Sequence, residues 1–260
     1  MPFIIFTEHG GNRDMKKTIS YTAFNRPHYL EESLQHLIQN DLTNWHVFFQ
    51  IDYSDRIEDN LDVIKRICAN VEWSYKANDV KLGCEKNTYK SLEYVFHDLH
   101  SDINIYLEDD VIVSPDITQM ADWYMNIAKD DIICLNLLYG ASGGRFHKYY
   151  KHLSKDIIHR VKQFNSLGLI FTKEQWEEYF KPYWLGTTVY SEGAWDCEIQ
   201  AKWIENKDSK MYTLQPDFAR SNHIGRIGSK CPTQLHDMAF TRIELCKEIN
   251  NEYKIIRSHY

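Results

Sequence analysis

Three consecutive acids, Glu108, Asp109 and Asp110, close the apolar run Ile103 to Leu107, and Val111 to Val113 and a Ser-Pro-Asp116 helix start follow at once. A short apolar run bounded by turn signals reads as a buried strand. Carboxylates crowded at its end repel one another and are costly when partly buried, so something positive is expected against them. A hard divalent cation, Mn2+ or Mg2+, suits such oxygens, because it takes a few carboxylates and leaves other positions to water and phosphate. A solvated acidic turn is the plain alternative. Two later stretches also carry candidate chemistry. Ser191 to Trp203 sets Gly193 and Trp195-Asp196 at the opening of a helix that carries Ile199 and Trp203. A carboxylate at a helix N-terminus is stabilised as the anion, so Asp196 stays ionised and able to accept a proton; an ordinary first-turn aspartate would look the same. Pro216 to Gly228 is a glycine-punctuated polar loop containing Arg220, Ser221 and His223. His223 reads as a metal ligand or phosphate contact, or as a surface histidine.

The elements that must position these residues alternate along the chain. Thr18 to Thr22, His46 to Ile51, Val71 to Tyr75, Ile103 to Leu107, Ile132 to Leu138 and Phe164 to Phe171 read as strands. Leu30, Leu34, Leu37 and Ile38 recur at helical spacing after Asn25, an N-cap type, and Pro27, which suits a first helical turn. Ile57 to Ala69, Tyr89 to Leu99, Met120 to Ile127 and Lys173 to Tyr179 complete the predicted helices. Strands alternating with helices imply an α/β fold with a mainly parallel sheet covered on both faces. Ligands of such sheets sit at the carboxyl ends of strands, where Arg26, Asp52 and Glu108 to Asp110 all fall.

Composition narrows the class. A chain of 260 residues, 43% hydrophobic and 14% aromatic, can bury a full core. No linker or repeat divides it, so residues 1–260 read as one domain, whose halves, near 17–140 and 141–260, part at a change of texture around Gly140. The net charge of -7 weighs against a general binder of nucleic acid or anionic membrane. The basic stretch Arg145 to Lys162, with Phe146, Tyr149 and Tyr150 interleaved, is a local exception: a solvated face, or a groove for a phosphate-bearing or sugar ligand, with Gly143-Gly144 letting it move as a lid. Six cysteines without C-x-x-C spacing indicate neither a zinc site nor a disulfide framework, and no apolar run is long enough to span a membrane. A cytoplasmic location is the resulting expectation.

In order and spacing, Phe24-Asn-Arg-Pro27, the strand ending at Asp52, Tyr106-Leu-Glu-Asp-Asp-Val-Ile-Val-Ser-Pro-Asp116, Ser166-Leu-Gly-Leu-Ile170, Trp195-Asp196 and Pro216 to Gly228 form a pattern. It resembles the nucleotide-sugar-dependent glycosyltransferases of the GT-A fold, and within them the N-acetylglucosaminyltransferase I type. The resemblance implies a Rossmann-like, mostly parallel mixed sheet flanked by helices. It also implies metal-dependent transfer from a nucleotide-diphosphate donor, a UDP-sugar, to the hydroxyl of a glycan or other acceptor, with inversion. On this resemblance Asn25, Arg26 and Asp52 hold the nucleotide, and Glu108 and Asp109 lie around the ribose and sugar. Asp110 binds the Mn2+ or Mg2+, with His223 as a second candidate ligand. Asp196 is the catalytic base, with Glu192 the next candidate, and Trp195 packs beside the donor sugar. Leu167 lies near that sugar, while Arg220 and Ser221 belong to the closing loop. After Trp195-Asp196 the chain departs from the pattern, with Cys197-Glu198 where a further acid and aromatic are expected.

Readings from other classes compete. A glycosidase needs two carboxylates but no nucleotide pocket or metal. A sugar nucleotidyltransferase wants a glycine-rich basic loop after the first strand, which Thr22-Ala-Phe-Asn-Arg-Pro27 is not. A non-catalytic sugar- or nucleotide-binding module is opposed by intact Asp110 and Asp196. Transfer to a hydroxylated nucleic-acid base would use the basic stretch and show strong salt dependence.

Overall fold

The first third of the chain alternates strand and helix as its periodicity dictates. β1 (Lys17–Ala23) leads to α1 (Pro27–Leu37), β2 (Trp45–Ile51) to α2 (Ile57–Ile67), and β3 (Trp73–Ala77) to α3 (Cys84–Glu93), which runs on as a π-helical turn, Tyr94–Asp98. β4 (Ile103–Glu108), β5 (Val111–Val113), α4 (Ile117–Met125) and β6 (Ile132–Asn136) follow. After them come β7 (Ile157–Val161), β8 (Leu169–Thr172), α5 (Lys173–Gln175), a π turn Trp176–Phe180 and α6 (Lys181–Trp184). The chain ends with α7 (Trp195–Ile199), a π turn Gln200–Ile204, β9 (Tyr212–Pro216), β10 (Ser221–His223), α8 (Thr233–Ala239) and β11 (Lys254–Arg257). This computed structural model describes residues 15–138, 153–184, 195–205, 209–227, 232–241 and 243–257.

Nine strands form one sheet in the order β11-β7-β9-β6-β8-β4-β1-β2-β3. β4, β1, β2 and β3 are parallel, in register from Lys17 against Trp45 and Ile103. β8 runs antiparallel to both β4 and β6, with Tyr106 opposite Leu169, and β7 runs antiparallel to β9. The sheet is therefore mixed, and its strands come from both halves of the chain. β5 and β10 make a separate antiparallel pair.

Side chains alternate across the pleat, which divides the core in two. Val47 and Phe49 point into a cluster with Leu30, Leu34, Leu61, Ile64 and Met120 from α1, α2 and α4. Phe48 points the other way, into an aromatic cluster with Phe96, Phe171, Trp176, Phe180, Trp184 and Trp195. At roughly 1.5–3 kcal/mol per fully buried large apolar side chain, these two layers supply the main driving force for the fold.

Local readings shift in three places. Arg26, not Asn25, takes the N-cap position of α1, and no side chain caps the helix; Pro27 does start it. The third strand lies two residues later than its apolar pattern suggested, because it pairs as the sheet edge with Val47 to Ile51. Phe164 to Phe171 is not one strand: Gly168 adopts φ +92°, which breaks the ladder and leaves 164–168 as a loop entering β8. A reciprocal capping box between Thr172 and Gln175 then starts α5.

Candidate active site

Asp109 and Asp110 form the turn between β4 and β5, each only 2% exposed. A positive group set against them belongs to the chain itself. Arg26 donates through Nη2 to Asp109 Oδ1, and its Nη1 lies 2.6 Å from Asp110 Oδ2. The Phe24 amide donates to Asp109 Oδ2 at 3.2 Å. Burial would lower the Arg26 pKa, but the charges of Asp109 and Asp110 outweigh it and raise it. Arg26, expected on the uridine, is thus engaged by the acids. Burial and the charges of Asp110 and Asp109 push Glu108 up to about 8, while Tyr106 Oη donates to its Oε1 at 3.2 Å. Burial and the charge of Asp110 push Asp109 up to about 7. Burial acts upward on Asp110 too, but His223 and Arg26 hold it below its ordinary value.

His223 reaches this turn because β10 pairs with β5, setting His223 opposite Val111. Its Nε2 lies 3.1 Å from Asp110 Oδ2. Ile224 N donates to the Asp110 carbonyl at 2.8 Å, and Gly225 follows so closely that a Cβ there would lie 2.0 Å from Asp110 Oδ2. Asp110 Oδ1 is buried without a hydrogen-bond partner. Asp110 and His223 are the residues here that could reach a common cation, although Asp110 Oδ2 is also held by Arg26. Among the described residues no group of three or more His, Cys, Asp or Glu could hold a metal.

Asp52, at the end of β2, is buried and bonded from several sides. Its Oδ1 accepts from Tyr53 N at 3.0 Å, Asn78 Nδ2 at 3.0 Å and Leu82 N at 2.9 Å, and its Oδ2 from Gly83 N at 2.8 Å. Asn78 also donates to Asn87 Oδ1 at 2.7 Å and accepts from Gln50 and Lys90. This network fixes residues 78–83 and the start of α3, where Gly83 has φ +81°. Sequence reading missed Gln50, Asn78 and Asn87; buried amides next to a strand-end aspartate were the available signal.

Asp196 opens α7, with Ser166 Oγ donating to its Oδ2 at 3.1 Å and Cys197 N to its Oδ1 at 2.9 Å. It is close enough for its charge to act on Glu108. Cys84, unnoticed in the sequence, lies among the same groups: loss of water around its sulfur, then Glu108 and Asp196, raise its pKa. Trp195 is buried, 4.3 Å ring to ring from Trp184 and 6.0 Å from Tyr106. Its indole packs within the aromatic core beside Asp196. Leu167 is half-buried beside this loop, and its carbonyl accepts from Ser221 Oγ at 2.6 Å. Asn25 is exposed at the end of β1.

Arg220 differs most from expectation. It is wholly buried, donates Nε to both oxygens of Asp116 at 3.0 Å, and gives its other nitrogens to the carbonyls of Phe218 and Lys155. A guanidinium so occupied is a strut between β10 and α4, not part of a loop over a donor. Ser221 is fixed on β10 in the same way. The rest of the expected closing loop reduces to Ile224–Ile227 among the described residues; Gly228 lies outside them. Outside them too are Glu192 and Arg145 to Lys151. The remaining basic side chains are neutralised or tied down: Lys155 by Glu248, Arg160 by Asp131, and Lys162 by the Ser209 carbonyl.

Strand ends from a largely parallel sheet, an acidic turn and a helix-borne aspartate thus meet at one edge. The family model for glycosyl transferase family 2 matches residues 18–185. The chain belongs to glycosyl transferase family 2. Its sheet and flanking helices are the GT-A fold. Among solved structures, S. aureus TarS 1-349 in complex with UDP-GlcNAc is 14% identical with a TM-score of 0.57, over 83% of this chain and 60% of that one. The TarS 1-349 complex with UDP gives 14% and 0.54, over 80% and 60%. The mannosyltransferase PcManGT from Pyrobaculum calidifontis, in complex with GDP-Man and Mn2+, gives 13% and 0.44 over 62% and 46%. The chain therefore spans less than two thirds of each of these structures. No curated protein matches it. Among the described residues, no helix is long and apolar enough to cross a membrane.

Proposed function

We propose that this glycosyltransferase moves a sugar from a UDP-sugar to an acceptor hydroxyl with inversion, as its motif resemblance to the N-acetylglucosaminyltransferase I type implies. The observation that carries the reading is Asp196. It stands at a helix N-terminus, is oriented by Ser166 and Cys197, and lies within electrostatic reach of the acidic turn. A carboxylate so placed is the group that general-base catalysis requires. One such base deprotonates the acceptor hydroxyl as it attacks the face of the sugar opposite the departing diphosphate.

Asp52 serves the nucleotide. Among the described residues its Oδ2 accepts from Gly83 N, and a second lone pair there could take a donor such as a uracil imide N–H. Asp110 and His223 would hold a Mn2+ or Mg2+, which when bound stabilises the charge of the leaving diphosphate. Glu108, pushed up to about 8 by burial and the neighbouring acids, would hydrogen-bond a sugar or ribose hydroxyl. Arg26 balances Asp109 and Asp110 and faces the diphosphate from the α1 side. Residues 153–184 and 195–205 supply the acceptor side.

The decisive experiment incubates the protein with a panel of UDP- and GDP-sugars and Mn2+ and measures nucleotide release with and without candidate glycan acceptors. Release of UDP from one sugar, lost on D196N with UDP binding kept, supports the reading. Turnover of D196N at the wild-type rate overturns it.

A further inference from the structure

Gly225 presses on Asp110 more closely than any other residue with a side chain could, and that contact needs a force behind it. The Ile224 amide bond to the Asp110 carbonyl holds one end. The other holds come from α8, a short helix that nothing in the chemistry above uses.

His236 is 6% exposed, and its Nε2 lies 3.0 Å from the carbonyl oxygen of His223. A ring nitrogen facing a carbonyl must carry the proton, so His236 donates. The next residue, Asp237, takes a two-pronged bond from Arg226, Nε to Oδ1 at 2.8 Å and Nη2 to Oδ2 at 2.9 Å. Thr233 Oγ1 donates to the Arg226 carbonyl at 3.3 Å. The rings of His223, His236 and Phe240 pack against one another at 5.0–5.4 Å between centroids. From the α1 side, Tyr29 Oη accepts from Ile227 N at 3.2 Å. Adjacent residues of α8 thus grip positions 223 and 226, on either side of Gly225.

We propose that α8 is a clasp, with His236 and Asp237 as positioning residues that hold His223 and Gly225 against Asp110 and so set the affinity of this turn for a divalent cation and the donor diphosphate. The proposal rests on the reading of Asp110 and His223 as the cation-holding pair. Neither clasp residue touches substrate; they act through the backbone of 223–226. His223 keeps its ring aimed at Asp110 only while its own carbonyl is anchored. The Arg226–Asp237 pair is exposed and His236 holds only the His223 carbonyl, so a loss of up to about fivefold in Mn2+ affinity is the scale expected here.

The test measures Mn2+ affinity in the presence of UDP, together with the melting temperature and the kcat and KM for the donor, in H236A, H236Q, R226Q, D237N and the charge swap R226D/D237R. Glutamine at 236 keeps an N–H that can reach the carbonyl, so H236Q should recover most of what H236A loses. The swap should recover what R226Q and D237N lose. In each single variant the Mn2+ affinity falls and the donor KM rises, while kcat at saturation changes little. The Arg226–Asp237 pair is on the surface, so those variants fold and keep the test open even where H236A does not. D110N is the control. Wild-type Mn2+ affinity in H236A, R226Q and D237N alongside lost affinity in D110N overturns the clasp and leaves the reading of the site standing. Wild-type affinity in D110N as well overturns both. A uniform loss of folded protein with no recovery in H236Q or the swap makes α8 a structural element only and also overturns the clasp.

Discussion

Replacing Arg26 by glutamine removes the one positive side chain bonded to both Asp109 and Asp110. The two carboxylates are 2% exposed, and Arg26 contacts both at once. Taking one partner from a buried ion pair leaves uncompensated charge and costs about 3–5 kcal/mol. The Arg26 side chain keeps 24% of its own exposure, so water replaces part of it and about 2–3 kcal/mol is the better expectation. In a domain of this size each kcal/mol moves Tm by about 2–4 °C, so R26Q should melt roughly 4–12 °C below wild type. Thermal unfolding of R26Q, R26K, D109N and R26Q/D109N reads this directly. R26K should lose less than R26Q. Removing one acid together with the arginine should return part of the stability, giving a coupling that single variants cannot. Mn2+ should also raise the Tm of R26Q more than that of wild type, since a cation can take over the lost charge. An R26Q protein as stable as wild type, with no coupling to D109N, would refute the assignment of Arg26 as internal counter-charge.

Other perturbations separate the remaining roles. D196N is nearly isosteric but cannot accept a proton, so turnover should fall by ~10²-fold or more while UDP-sugar and Mn2+ affinities hold; collapsed donor affinity in a binding titration would make Asp196 a binding residue instead. G225A drives a methyl toward Asp110 Oδ2, and overpacking of this kind costs about 1–3 kcal/mol, so thermal unfolding and UDP binding should both weaken; an unchanged donor KM would remove Gly225 from the site. R220Q breaks a fully buried pair and should cost about 3–5 kcal/mol in urea unfolding; lost donor affinity at wild-type stability would return Arg220 to the donor site.

The GT-A fold was legible because its signals are local. Apolar period, strand-end acids and Pro27 at a helix start are read within a few residues, and β1, β2, β4 and α1 lie where they indicated. What the letters hid depends on pairing at long range. Arg26 and Asp109 are 83 positions apart, His223 and Asp110 are 113, and Arg220 and Asp116 are 104. Each charge could be recognised in the sequence, but its partner could not. Trp195 and Asp196 make a different point. A helix turns about 100° per residue, so neighbours on α7 face different surroundings, one the aromatic core and the other the site. The pair of letters identified the helix, while the burial of the tryptophan became visible only in the fold.

The reversal of β8 within an otherwise parallel neighbourhood has an evolutionary consequence. Tyr106 near the exit of β4 faces Leu169 at the entrance of β8, so the loop that leads into β8 opens on the same rim as the loops that leave β1, β2 and β4. Two kinds of segment therefore share one rim but belong to independently connected stretches of chain. The exit loops of the parallel strands and the loop carrying Ser166 and Leu167 can vary separately in sequence. The second is tied to the site, because Ser166 holds Asp196 and the Leu167 carbonyl accepts from Ser221. A change in its length would move Asp196 while leaving the register of every parallel pair intact.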